Sequence, residues 1–147
     1  MSGALPRRTL LAAGLSLVLS PARATRAELQ AAIQAFAAGV TPQRGRIALE
    51  IAPLVENGNA VPLTVTVDSP MTREQHVREI ALYTELNPQC EVARYRLGPH
   101  NGQAQVATRI RLATSQQLVA LARLSDGSVW INSVEVVVTL AACVEGG

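Results

Sequence analysis

Beyond Gly45 the apolar residues recur at every second position, and they keep that period almost to the end of the chain. Ile47, Leu49 and Ile51 alternate with Arg46, Ala48 and Glu50, and Leu63, Val65 and Val67 alternate with Thr64, Thr66 and Asp68. In an extended chain a period of two sends alternate side chains to opposite faces, so each run reads as a strand with one buried face. Val92–Leu97, Val106–Leu112, Leu118–Leu124 and Trp130–Leu140 follow the same rule. Val77–Thr84 is less regular; Arg78 and Glu79 also suit a helix, but the run is short and Tyr83-Thr84 favours extended backbone. Turn chemistry separates the runs: Asn57-Gly58-Asn59, Ser69-Pro70, Asn87-Pro88, Gly98–Gly102 and Asp126-Gly127. Leu118–Leu124 is expected to pair back on the preceding strand through Ala113–Gln117, and Trp130 to pack in the core.

Only one segment of this body carries the helical period. Thr25 and Glu28 have the spacing of a capping box, and Leu29, Ile33, Phe36 and Val40 fall on one face. Gly39 is the expected stop. A helix of about 12 residues is marginal alone in water, so its apolar stripe must lie on something. One helix followed by about seven strands, with no crossover helices for a parallel sheet, predicts a mainly β fold: an immunoglobulin-like antiparallel β-sandwich with an N-terminal helix. A chain of 147 residues, 48% apolar and 16% charged, holds one such domain and is too apolar for wholesale disorder.

Residues 1–24 stand apart. Arg7-Arg8 precede an apolar stretch, Leu10–Leu19; Pro21 breaks it, and Ala22-Arg23-Ala24 fits a signal-peptidase site. The stretch is about half a membrane span, so a permanent anchor is not expected. Paired arginines there resemble a twin-arginine export signal, which places the mature protein in the periplasm. The predicted organisation is a signal segment 1–24, a domain 25–140 and a terminal arm 141–147. Removing the signal takes away three of the 13 arginines and no acid, so the net charge falls from +2 to −1. Little then remains to attract nucleic acid or anionic lipid. The chain has no lysine, which excludes Schiff-base chemistry on a side-chain amine.

Nucleophiles are few. Cys143 lies just past the last strand, in Ala141-Ala142-Cys143-Val144-Glu145-Gly146-Gly147. Three readings stand beside one another: a thiol on a short arm that enters another protein's cleft, a thiol packed at the bottom of the sandwich, or a disulfide with Cys90, the default for two cysteines in an exported chain. His76 and His100 have no metal-like spacing to a carboxylate or cysteine, and Asp68, Glu74 and Glu79 are too scattered for a catalytic carboxylate pair. No phosphate loop, CxxC or serine elbow occurs, so no metal or other cofactor is expected. Arg109 and Arg111 share a strand face and would form a basic stripe with Arg94 and Arg96 if those strands paired. A solvated face is the simpler reading; a partner-facing patch is the other.

The chain resembles the SoxY family, the sulfur-carrier subunits of the periplasmic sulfur-oxidation (Sox) system, from its N-terminal helix to its terminal cysteine. The resemblance rests on Leu63–Met71, the stretch around Asn87-Pro88, Ala107–Ala113, Leu124–Trp130, and Val134–Leu140 leading into the arm. It implies a heterodimer with SoxZ and covalent attachment of the sulfur substrate to Cys143. It also implies that the chain is no enzyme: a c-type haem enzyme couples thiosulfate to the thiol, a hydrolase releases sulfate, and a molybdenum-haem enzyme oxidises the remaining sulfur. The family's arm ends Gly-Gly-Cys-Gly-Gly, whereas here Ala141 and Ala142 precede Cys143, and Val144 and Glu145 come before the two glycines. Alanine narrows backbone freedom, and the Glu145 charge disfavours a thiolate and a bound sulfonate. A diverged, non-shuttling paralogue that binds or regulates a Sox-type complex is therefore the alternative. A hydrolase is not expected, because no positioned base accompanies the nucleophile.

Overall fold

The computed structural model describes residues 24–140, so the signal segment up to Arg23 and the arm 141–147 lie outside the described residues. Helix α1 spans Arg26–Ala37. The Thr25 hydroxyl accepts the Glu28 N–H at 3.2 Å, and the Glu28 carboxylate accepts the Thr25 N–H at 2.7 Å, closing the expected capping box. The helix stops slightly earlier than the stripe suggested. Ala38 turns left-handed at φ 50° and Gly39 follows at φ 85°, which swings Val40 off the buried face and leaves it 38% exposed.

Nine strands follow: β1 (Gln43–Arg44), β2 (Ile47–Glu50), β3 (Leu54–Asn57), β4 (Val61–Val67), β5 (Val77–Thr84), β6 (Glu91–Arg96), β7 (Gln105–Ile110), β8 (Gln116–Leu124) and β9 (Val129–Leu140). They form two sheets, one ordered β1-β9-β8-β5-β6 with β3 also on β9, the other β2-β4-β7. The fold is the expected mainly β sandwich with an N-terminal helix.

The larger sheet is buried on both faces at its centre, in β5 and β8. Ile80, Leu82, Leu118, Ala120, Ala122 and Val136 face the smaller sheet's Val61, Leu63, Val65, Val67 and Ile110. The intervening residues Ala81, Tyr83, Val119 and Leu121, with Val129, pack against Leu29 and Phe36 of α1. Each fully buried aliphatic side chain contributes roughly 1.5–3 kcal/mol of burial free energy. This double burial explains why Val77–Thr84 lacked a clean alternation: a strand covered on both sides has no polar face to alternate with.

Strand pairing departs from the sequence reading in three places. β8 does not pair back on β7; it lies between β5 and β9, because the Asp126-Gly127 hairpin carries it into β9 and Ala113–Ser115 crosses from one sheet to the other. β6 and β7 belong to different sheets, so Arg94 and Arg96 form no strand-to-strand stripe with Arg109 and Arg111. Finally, β1 and β3 were not legible, being short and largely exposed, and both run parallel to β9 along its outer edge.

Trp130 is only partly buried. Its indole N–H donates to the Ser128 hydroxyl at 3.1 Å, and the Arg46 guanidinium stands 4.9 Å from its ring centroid. Gly45, at φ +118°, passes beneath the ring where a Cβ would come to 3.4 Å, so the residue at which the hydrophobic period changes is also one where a side chain would be strained.

Candidate functional site: the root of the terminal arm

Cys143, Ala141, Ala142, Val144, Glu145, Gly146 and Gly147 all lie outside the described residues. What is described is the strand from which they emerge. Beyond Val136, β9 loses its partner β8 and continues beside β3, with Leu54 opposite Val137, Val55 opposite Val138 and Asn57 opposite Leu140. The Val137 N–H donates to the Pro53 carbonyl at 2.9 Å. On the other side the Ser115 hydroxyl accepts the Val138 N–H at 2.8 Å, replacing the ladder bond that β8 no longer supplies. The Gly58 N–H then donates to the Leu140 carbonyl at 3.1 Å, and the Gly58 carbonyl accepts the Leu112 N–H at 2.8 Å. Buried Gly58 therefore ties the last residue of β9 to the segment that follows β7. This hydrogen-bonded strand end stands three residues before Cys143 in the sequence. Leu54, Val137 and Leu140 are exposed around it, at 60%, 51% and 67%.

A buried polar hub braces the same end. Asn87 is 8% exposed; its side-chain oxygen accepts the Ala113 N–H at 2.9 Å and the Gln116 amide at 2.8 Å, and its side-chain nitrogen donates to the Arg111 carbonyl at 2.7 Å. The Gln116 carbonyl oxygen in turn accepts the Leu86 N–H at 2.8 Å. The Asn87-Pro88 stretch, read as a turn, is thus the pin that fixes the β5–β6 loop to the crossover. That role is not legible in the sequence, where Asn87 is one of several turn residues.

Cys90 is half-buried, packed against the helix side of the larger sheet and unpaired among the described residues. Burial pushes its thiol up, and the Glu28 and Glu91 carboxylates push the same way, so it is a poor thiolate. Any pairing with Cys143 involves a residue outside the described ones.

Nearby, Arg94 knots helix to sheet. It donates to Glu79 at 2.8 Å, to Glu91 at 2.8 and 3.0 Å, and to the Tyr83 hydroxyl at 2.9 Å. Its guanidinium also lies 5.6 Å from the Phe36 ring centroid, with Arg123 at 5.3 Å and donating to the Phe36 carbonyl. The hydrogen bond from Arg94 holds the Glu91 carboxyl below its usual range.

The remaining sequence candidates lie elsewhere. His76, whose ring Nδ1 is 3.1 Å from the Thr72 carbonyl, sits beside Ser125 at the Asp126-Gly127 end, and exposed His100 lies in a 3-10 turn at Pro99–Asn101. Glu74, His76 and Asp126 line a pocket of about 190 Å3 there, away from the arm. Asp68 is exposed just past β4, and Glu79 is held by Arg94. Among the described residues no three His, Cys, Asp or Glu side chains are grouped to hold a metal ion. Arg109 and Arg111 line a groove of about 400 Å3 with the Asn87–Val92 loop.

Comparison with known proteins places this geometry. A family model for sulfur oxidation protein SoxY matches residues 33–143. Among solved structures, the sulfur carrier protein SoxY from Chlorobium limicola f thiosulfatophilum is 27% identical, with a TM-score of 0.65 over 78% of this chain and 98% of that one. Superoxide reductases share the fold at lower identity. The protein from Ignicoccus hospitalis is 18% identical, with a TM-score of 0.57 over 78% of this chain and 94% of that one. That from Nanoarchaeum equitans is 16% identical, with a TM-score of 0.54 over 66% and 99%. A search of curated proteins found no match. With the family model spanning about three quarters of its length and ending on the terminal cysteine, the chain belongs to the SoxY family of sulfur oxidation proteins.

Proposed function

We propose that this protein is a covalent carrier of thiosulfate-derived sulfur intermediates, borne on Cys143 and presented to Sox enzymes by a heterodimer with a SoxZ-like subunit. The observation that carries the reading is the reach of the family match: it runs through the sandwich and stops at Cys143, three residues after a strand end held by Gly58 and Ser115. A firmly rooted strand followed by small residues suits a thiol that must enter other proteins' clefts while its own domain stays outside. The chain supplies the thiolate; the c-type haem coupling enzyme, the sulfate-releasing hydrolase and the molybdenum-haem dehydrogenase supply the catalysis and hold the cofactors. The work takes place in the periplasm, after export through the Arg7-Arg8 signal and removal of residues 1–24.

Incubation of the partnered chain with thiosulfate and the oxidising enzyme, followed by intact mass measurement, is expected to show one adduct per chain. Cys143→Ser abolishes it and Cys90→Ser does not. A chain that stays unmodified where an ordinary SoxY loads rejects carriage. The result would favour the diverged binding or regulatory paralogue suggested by Ala141, Ala142, Val144 and Glu145.

A further inference from the structure

The groove between the Asn87–Val92 loop and the end of β7 has a volume of about 400 Å3 and carries Arg109 and Arg111 on one wall. Both arginines are exposed, and among the described residues neither forms an ion pair. The one carboxylate lining the groove is Glu91, which is already engaged by Arg94 in two hydrogen bonds. Among the described residues the groove therefore presents two uncompensated guanidiniums opposite a neutralised acid. Guanidinium forks match the oxygens of tetrahedral oxyanions.

Its position adds the second argument. Leu112, next to Arg111, donates to Gly58, and Gly58 donates to Leu140, so two backbone hydrogen bonds separate this wall from the root of the arm. Three residues span at most about 11 Å when extended. We infer that the groove is a sulfur-oxyanion site, taking the terminal –SO3− group common to free thiosulfate and to a thiosulfonate borne on Cys143. The tethered form rests on the carrier reading; the free form does not. A seat of this kind holds the anionic end of the cargo against the sandwich.

Both sources can be tested on the full chain. In the first arm, the Cys143→Ser chain is titrated with thiosulfate, with ionic strength held constant by chloride, and backbone amide NMR signals are followed. Saturable shifts are expected at Arg109, Ile110, Arg111 and Gln89–Val92. An Arg109→Gln, Arg111→Gln double variant, altered only at exposed positions, should bind at least about tenfold more weakly. In the second arm, the native chain is loaded without any enzyme by tetrathionate. The Cys143 thiolate attacks a central sulfur, the central S–S bond breaks, a thiosulfonate forms on the protein and thiosulfate leaves with the electron pair. After removal of free anion the same amides are expected to stay shifted in the native chain and to return in the double variant. Shifts in the first arm alone assign the site to the free anion. Shifts matched by chloride, or none in either arm, overturn the inference. Failure to load, read by mass, refutes the carrier reading alone, since the first arm still decides the groove.

Discussion

The backbone N–H of Gly58 donates to the carbonyl of Leu140 at 3.1 Å, fastening the last described residue of β9 to a turn in the middle of the chain. Because the same glycine accepts from Leu112, a single buried residue joins the end of β9 to the segment that follows β7. The end of β9 is therefore fixed independently of the hairpin that made it.

Ser115 supplies a second link in that fixation. Its hydroxyl is the partner of the Val138 N–H where β8 has already left the ladder. Ser115→Ala should raise amide exchange at Val138 by roughly tenfold through local opening, leaving Leu118–Leu121 little changed. Hydrogen exchange read by NMR checks it; uniform loss of protection across β8 would refute a local clamp.

Asn87→Ala removes three buried hydrogen bonds at once, to Ala113, Gln116 and Arg111. The expected cost is about 2–4 kcal/mol, since the orphaned groups lie where water enters poorly. Denaturant unfolding measures it. A loss under 0.5 kcal/mol, roughly the scatter of surface substitutions, would mean that the hub is replaced by water.

Alkaline pH should unfold the protein through Tyr83. Burial pushes this phenol up to about 12, against a pull from Arg94. The unfolded chain releases the same proton near pH 10. Stability from the neutral phenol is thus complete below about pH 10 and is lost as the pH rises through about 12. Unfolding midpoints measured across that window should fall for the native chain and flatten for Tyr83→Phe. Equal slopes for the two would sink the assignment.

The two cysteines should differ in reactivity. Cys90 is half-buried and its thiol is pushed up by burial and by the Glu28 and Glu91 carboxylates. At neutral pH a small alkylating reagent should modify Cys143 at least about tenfold faster, because reaction runs through the thiolate. Peptide mapping after timed quenching decides it. Faster labelling of Cys90, or a stable bond between the two sulfurs, would favour the non-shuttling paralogue.

Much of this architecture was legible in local chemistry. Thr25 and Glu28 announce the helix start because a capping box satisfies two N–H groups within four residues. Leu63, Val65 and Val67 announce β4 because its other face meets solvent. β5 was harder, since burial on both faces erased its alternation. β3 was invisible: Leu54–Asn57 bears no buried face and exists only because the edge of β9 is there to pair with it.

The sequence by itself determined the helix, the longer strands and their turns, because periodicity, capping and turn chemistry act over a few residues. Which strands became neighbours was decided by tertiary structure alone. Leu118–Leu124 could serve any apolar face, and only global packing set it between β5 and β9, with α1 on one side and β4 on the other. That choice parted Arg94 from Arg109 and Arg111, turned Asn87 into a buried pin and brought Gly58 to Leu140. Contacts between residues so far apart in the chain depend on how the whole core closes, and no local pattern encodes them.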